Sequence, residues 1–236
     1  MKKIKKIFFK LVFFVPDYIL EIWIFELRSW LGRTFTGKLK LDKTKTNLIN
    51  LGCGNFIFSE FINLDFYFQP RIDFGADLRY PLRIDSDSID GILCEHTMEH
   101  LTYKQNDQLF NECHRILKRG ATIRIIVPDV SLFAINYANG NAEWFKKWED
   151  IMMARSDDPE RAKRRIATPM EAISFVTQEY LHVACWDFEA MKYYLGKNGF
   201  KDIQKVTHKQ GRQPNLLRDT DEEGRMYVSL YVEAVK

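Results

Sequence analysis

Cysteine is scarce in this chain. Its 236 residues hold four, Cys53, Cys94, Cys113 and Cys185, and no two form a Cys-x-x-Cys pair. That scatter excludes a disulfide framework and a cysteine zinc site, and it fits a reducing cytoplasm. Long apolar runs are missing too: none approaches the ~20 residues needed to cross a bilayer. Charge of one sign is also in short supply, with a net of only +3. Residues 1–46 carry eleven Lys/Arg against four Asp/Glu, and the other 190 carry 24 against 28. The larger part is therefore mildly acidic and bears no electrostatic footprint for nucleic acid. With 46% hydrophobic and 28% charged residues, the composition is that of a folded domain rather than a disordered chain.

What is present first is a basic, aromatic N-terminus. Lys2, Lys3, Lys5, Lys6 and Lys10 precede and punctuate Ile7 to Phe9 and Leu11 to Val15. Lys10 splits the apolar run, and Pro16-Asp17-Tyr18 stands where a small-residue cleavage site belongs, so the segment is not read as a signal peptide. Tyr18 to Leu31 places Ile19, Ile22, Trp23, Leu27, Trp30 and Leu31 near helical spacing. Lysines beside Phe, Trp and Leu fit a helix lying in an anionic membrane interface. The same face could instead cap the domain or form a homodimer contact. Gly32 to Thr46 reads as a polar linker. The expected division is 1–46, basic amphipathic helices and linker, and 47–236, one catalytic domain with a helical insertion at about 130–185.

The domain is organised around Asn47-Leu48-Ile49-Asn50-Leu51-Gly52-Cys53-Gly54-Asn55. An apolar run of this kind reads as a strand covered on both faces. Gly52 and Gly54 let the backbone turn and lie against a ligand with no Cβ in the way. In an open α/β sheet the crevice past such a strand binds a nucleotide. Further strands are predicted at Phe61 to Asp65, Ile72 to Leu78, Ile89 to Cys94, Ala121 to Val127, Phe200 to Val206 and Met226 to Val235. A helix is predicted over Asn106 to Leu117, closed by Lys118-Arg119-Gly120, and another after an Asp187 N-cap. Alternating strands and helices imply a parallel sheet.

A strand-borne acid past a glycine turn suits a ribose diol, because an ionised carboxylate only accepts and a diol offers two donors. Asp65 holds that place. A dinucleotide would need a third glycine and a helix N-terminus for its pyrophosphate. Ile57 occupies that third position, and Asn55 to Glu60 leave room for at most one helical turn. A cofactor without phosphate fits better, and S-adenosylmethionine is one.

Leu51-Gly52-Cys53-Gly54, Asn63-Leu64-Asp65, Asp77-Leu78, Glu95-His96-Thr97-Met98-Glu99-His100-Leu101 and Arg115-Ile116-Leu117-Lys118-Arg119-Gly120 resemble, in order, the motifs of class I S-adenosylmethionine-dependent methyltransferases. The nearest branch is the type-11-like group associated with surface-polysaccharide biosynthesis, which Trp186 to Glu189 and Ser229 to Ala234 also resemble. The resemblance runs from about Asn47 to Lys236. It implies a Rossmann-like fold with a seven-stranded, mostly parallel sheet and an antiparallel last strand. It implies S-adenosylmethionine held by Gly52, Cys53 and Gly54 at the methionine part, Asp65 at the ribose and Asp77 with Leu78 at the adenine, with Glu95 in the same set. Two departures stand out: Arg119-Gly120 replaces a usual Pro-Gly, and the first helix is shortened.

Methyl transfer to a hydroxyl needs a proton removed, and histidine titrates in the right range. His96, Glu99 and His100, just past the fourth strand, are the expected catalytic groups, with His182 as a second base candidate. Certain methyltransferases hold a divalent metal through a Glu-x-x-Glu-His run. Here His96 replaces the first glutamate, so no metal is expected. The expected activity is O-methylation of a sugar in a surface glycan or its lipid-linked precursor, in the cytoplasm or at the inner face of the membrane. A small-molecule or lipid methyltransferase, or a non-catalytic cofactor-binding subunit of a glycan assembly complex, are the alternatives.

Overall fold

The computed structural model describes residues 17–42, 44–154 and 166–236. The lysine-rich start of the chain lies outside the described residues. Helix α1 (Asp17–Phe35) comes first. The sheet follows: β1 (Leu48–Leu51), β2 (Ile62–Asp65), β3 (Phe74–Gly75) and β4 (Ile89–Glu95). Helix α2 (Tyr103–Ile116) runs directly into β5 (Leu117–Pro128). The expected insertion is α3 (Val130–Ala138), α4 (Ala142–Ala154) and α5 (Pro169–Gln178). Last come α6 (Phe188–Lys197), β6 (Lys201–Val206), α7 (Glu223–Val228) and β7 (Ser229–Val235).

The seven strands lie in the order β3-β2-β1-β4-β5-β7-β6. Neighbours are parallel except β7, which runs antiparallel to both β5 and β6. This is the Rossmann-like sheet with a reversed last strand that the sequence predicts. Strand order reverses between β1 and β4, so their carboxyl ends border the crevice where ligands bind in such sheets. All four residues of β1 are buried, as are the last eight of β5. Burial at consecutive positions is what a sheet covered on both faces requires, and the polar residues caught in it, Asn50, Thr122 and Arg124, are buried with the rest.

Local chemistry fixes the helices. Thr102 and Gln105 form a capping box at α2, and Leu109, Phe110, Cys113 and Ile116 turn one face to the sheet. Thr168 and Glu171 cap α5 the same way, and Asp187 caps α6 as expected. Each cap contributes about 1 kcal/mol.

Three expectations need correction. Lys118-Arg119-Gly120 does not close a helix. Leu117 is already extended, pairing with Ile89, and Gly120 (φ +78°) sits in the irregular stretch before Thr122 pairs with Gly91. The third strand shrinks to Phe74 and Gly75 because it is the sheet edge and only those residues find a partner on β2. Met226 to Val228 belong to α7, not to the last strand. Between β1 and β2 no helix forms among the described residues, as the short spacing from Asn55 to Glu60 allows.

Helix α1 packs against the segments that flank β3. Gly32 lies flat on the Tyr67 ring, which a Cβ would strike. Phe25 stacks on Phe66 with centroids 4.2 Å apart, and Arg28 donates to the Tyr67 carbonyl at 2.7 Å. The side of α1 turned away from these contacts stays in solvent, with Trp23 73% and Leu27 54% exposed.

Candidate functional site

The turn after β1 adopts the conformation its glycines permit. Gly52 (φ +70°) and Gly54 (φ +52°) are both left-handed. The Gly52 and Cys53 N–H groups donate to the Leu64 carbonyl at 2.8 and 3.1 Å, which folds the turn back over β2. A Cβ on Gly52 would strike the Thr97 side chain, whereas one on Gly54 would meet nothing within 4 Å. The turn is therefore closed on the protein side and open on the other, as a cradle for a ligand must be.

Asp65 ends β2 beside this opening. Its Oδ2 accepts from the Gly54 N–H at 2.6 Å and its Oδ1 from the Phe66 N–H at 2.5 Å. Those bonds orient the carboxylate and leave further lone pairs on both oxygens. Cys53 is buried, and burial beside Asp65 pushes its thiol up to about 12, so it serves as packing rather than as a nucleophile.

The remaining cofactor candidates are spread wider. Asp77 is buried and bonded to its surroundings: Ser29 of α1 donates to Oδ2 at 2.5 Å, and Arg79 donates from its backbone and its guanidinium. Burial raises the Asp77 carboxyl, but the Arg79 and Ser29 hydrogen bonds outweigh it and hold the group below its ordinary value. Arg79 also reaches Glu26 at 2.6 Å, so one guanidinium joins α1 to the end of β3. Asp77 lines a cavity of about 480 Å³ beneath α1, shared with Trp30, Arg33 and Tyr80. Leu78 is half-buried and packs against the main core. Glu95 turns to the C-terminal segment, where Thr220 and Arg225 donate to it.

The histidines and Glu99 do come together. A short 3-10 turn, Met98–His100, follows β4 and buries Glu99 to 2% exposure. His96 sits before it in the left-handed region (φ +49°), unusual for a residue with a Cβ and common where a site holds a side chain in place. Its Nε2 lies 2.9 Å from Ser229 Oγ, and its Nδ1 lies 3.1 Å from Glu99 Oε1. His182 arrives from the insertion because Val183 and Ala184 donate their N–H groups to the Glu99 carbonyl. Its Nε2 then lies 4.0 Å from Glu99 Oε1, and its ring meets that of His100 edge-on, centroids 4.9 Å apart.

Neither Glu99 oxygen accepts a well-directed hydrogen bond. Burial pushes this carboxyl up, yet the neighbouring His96 and His100 rings pull it further down, below its ordinary value. An ionised, buried carboxylate ringed by three imidazoles can stabilise an imidazolium and so assist proton removal. Ser229 and Thr97 were missed by the sequence reading. Ser229 is 133 residues from His96, and no local pattern signals a pairing made by the fold.

A family model described as a methyltransferase domain matches residues 69–125, from the loop after β2 into β5. No curated protein matches the chain. Among solved structures, an S-adenosylmethionine-dependent methyltransferase from Archaeoglobus fulgidus is 16% identical, covering 94% of this chain and 100% of its own, with a TM-score of 0.47. One from Mesorhizobium loti is 15% identical over 83% and 94% of the two chains, at 0.45. Phosphoethanolamine N-methyltransferase 2 of Haemonchus contortus, in complex with S-adenosylmethionine, is 13% identical over 87% and 51%, at 0.44. Similarity at this level does not bear on what this chain acts upon. The matched domain, together with the glycine turn and the acid at its side, supports an S-adenosylmethionine-dependent methyltransferase, an enzyme with S-adenosylmethionine as cofactor.

Proposed function

We propose that this chain methylates a hydroxyl of a sugar, in a surface glycan or its lipid-linked precursor. The observation that carries the reading is the Glu99 cluster, which gathers three imidazoles at the carboxyl end of β4, next to the glycine turn past β1. S-adenosylmethionine supplies a methyl carbon on a cationic sulfur: the acceptor oxygen forms the new C–O bond, the C–S pair stays with sulfur, and the acceptor proton leaves. Gly52 and Gly54 shape the cradle, and Asp65 accepts from the ribose hydroxyls. Asp77 and Leu78 border the adenine. His100 or His182 takes the acceptor proton, while Glu99 stabilises the charge that results. His96, held between Ser229 and Glu99, keeps that carboxylate in place. Positioning the acceptor can supply roughly 7–11 kcal/mol of the barrier reduction.

The exposed side of α1 favours an acceptor at a membrane surface. Trp23 and Leu27 recur at helical spacing and are exposed, with half-exposed Trp30 one turn on at the rim of the cavity beneath α1, and the sequence before them carries five lysines. Each lysine near an anionic leaflet contributes about 1 kcal/mol, falling off within a Debye length. No described helix is long and apolar enough to cross a membrane, so any attachment through α1 is peripheral.

The direct test is transfer of labelled methyl to cell-envelope fractions and to lipid-linked glycans. Label in the glycan fraction supports the reading. Label confined to small molecules or phospholipid points to those acceptors, and cofactor binding without turnover points to a non-catalytic subunit. Sedimentation with anionic liposomes tests α1: binding should weaken in high salt and vanish when residues 1–30 are removed.

A further inference from the structure

We propose that Glu99, His100 and His182 bind one divalent first-row transition metal ion. Each offers a ligand atom, and the three atoms lie within 4.8 Å of one another. Ligands bound at about 2.0–2.2 Å around one tetrahedral ion sit roughly 3.3–3.5 Å apart. Closing the observed spacing needs only side-chain shifts of a fraction of an ångström to about one ångström.

Two observations point to a cation rather than to packing. Glu99 is 2% exposed, and apart from the His96 Nδ1 that lies 3.1 Å from Oε1 no group reaches either oxygen with a well-directed hydrogen bond. A buried carboxylate in that condition is costly unless a positive charge joins it. His182 supplies the second observation. Its Nδ1 lies 2.7 Å from the Val176 carbonyl, which can only accept, so Nδ1 carries the proton. In the neutral ring Nε2 then presents a lone pair, and it faces Glu99 Oε1 at 4.0 Å. Two acceptors aimed at each other call for a cation. A ring fixed through Nδ1–H to a backbone carbonyl, with Nε2 turned to the ion, is the usual outer-shell arrangement of a metal-bound histidine.

The donor set selects the metal class. Two imidazoles and one carboxylate suit zinc, iron, cobalt or nickel; magnesium and calcium prefer oxygen throughout. His100 is exposed, so the solvent side stays open, and three protein ligands leave room for an oxygen of the acceptor. The sequence argued against a metal because His96 replaces a glutamate. In the fold His96 is held between Ser229, through Nε2, and Glu99 Oε1, through Nδ1, and the third ligand comes instead from His182, 83 residues beyond Glu99. The proposal deepens the methyltransferase reading and changes one role in it: with the ion bound, His100 and His182 would hold the metal instead of acting as free bases, and the ion would orient an acceptor hydroxyl and ease loss of its proton, but the binding itself can be tested separately.

The experiment titrates metal-stripped, full-length protein with cobalt(II) and reads the visible d–d absorption, with S-adenosylmethionine calorimetry on the same samples. Wild type should saturate at one equivalent. His182→Ala and His100→Ala should each weaken binding by more than the roughly 10–100-fold that loss of an outer-shell partner costs. His208→Ala, whose ring contacts Thr220 instead, should bind as wild type. Melting curves identify any variant that has lost its fold, and exposed His100 is the substitution least able to disturb it. Absence of a cobalt spectrum in wild type, or unchanged binding in His100→Ala, overturns the site. Cofactor binding without cobalt binding would overturn the metal site and leave the methyltransferase reading standing; cobalt binding without cofactor binding would do the reverse.

Discussion

Two of the buried charge clusters in this fold, around Arg124 and around Glu99, are built on opposite terms. Around Arg124, all five guanidinium N–H groups are taken: Nε and one terminal nitrogen by Asp219, the rest by Glu233 and the carbonyls of Gln210 and Thr207. The carboxylates are completed by the Lys209 and Arg212 N–H groups at 2.6 and 2.7 Å. Glu99 is about as deeply buried, within a cluster that opens to solvent at His100, yet its carboxylate oxygens go without a directed hydrogen bond. The first network fastens the 207–220 segment to β5 and β7. The second spends stability on an arrangement that packing does not require. A fully satisfied polar network rigidifies a fold, and one left incomplete marks a place where another group is meant to act.

The comparison breaks most sharply at Arg124. Arg124→Leu would strand two buried carboxylates and should cost about 3–5 kcal/mol, or prevent folding. Urea denaturation measures it. A variant as stable as wild type would mean that this network does not hold the segment.

The next effect is on turnover. His100→Ala and His182→Ala should each lower methyl transfer by about 100-fold or more if that histidine is the base, with cofactor affinity kept. Equal, wild-type rates in both would remove the need for a base from this cluster. Asp65→Ala removes charge-assisted bonds to the ribose worth roughly 1.5–3 kcal/mol. Calorimetry should show that loss in S-adenosylmethionine affinity, and unchanged affinity would displace Asp65 from its role.

How much of this could be read from the sequence depends on how local each feature is. The glycine turn was legible because positive φ and close approach leave a local mark, and both glycines carry it. His96 to His100 were legible because they are contiguous and follow a strand. The Ser29–Asp77 bond was not, since 48 residues separate its ends and α1 looked like an independent segment. Nor could the sequence place His182 over Glu99, because backbone bonds from a distant insertion set that contact. The end of α2 was misread for a different reason. Two cations and a glycine form a helix-stop pattern, and here the chain uses the glycine to enter a strand irregularly instead.

The smallest effect concerns pH and α1. The Asp77 carboxyl is held below its ordinary value, mainly by Arg79 and Ser29 against the cost of burial. A depressed carboxyl stabilises fully above its unfolded pKa of about 3.9 and loses that contribution as pH falls through the folded value. Acid should therefore loosen α1 from the domain, which Trp23 and Trp30 fluorescence can report. Asp77→Asn should flatten that transition, and an unchanged acid profile would show that the anchoring lies elsewhere.

The central claim is that the incompletely bonded Glu99 cluster exists for chemistry and not for the fold. Glu99→Gln tests it most directly, because it removes the charge and keeps the shape. Labelled methyl transfer and thermal unfolding are measured on the same preparation. The account expects turnover to fall by about 100-fold or more, with the melting temperature kept or raised and S-adenosylmethionine affinity unchanged. Full turnover in a variant that has lost stability would contradict it.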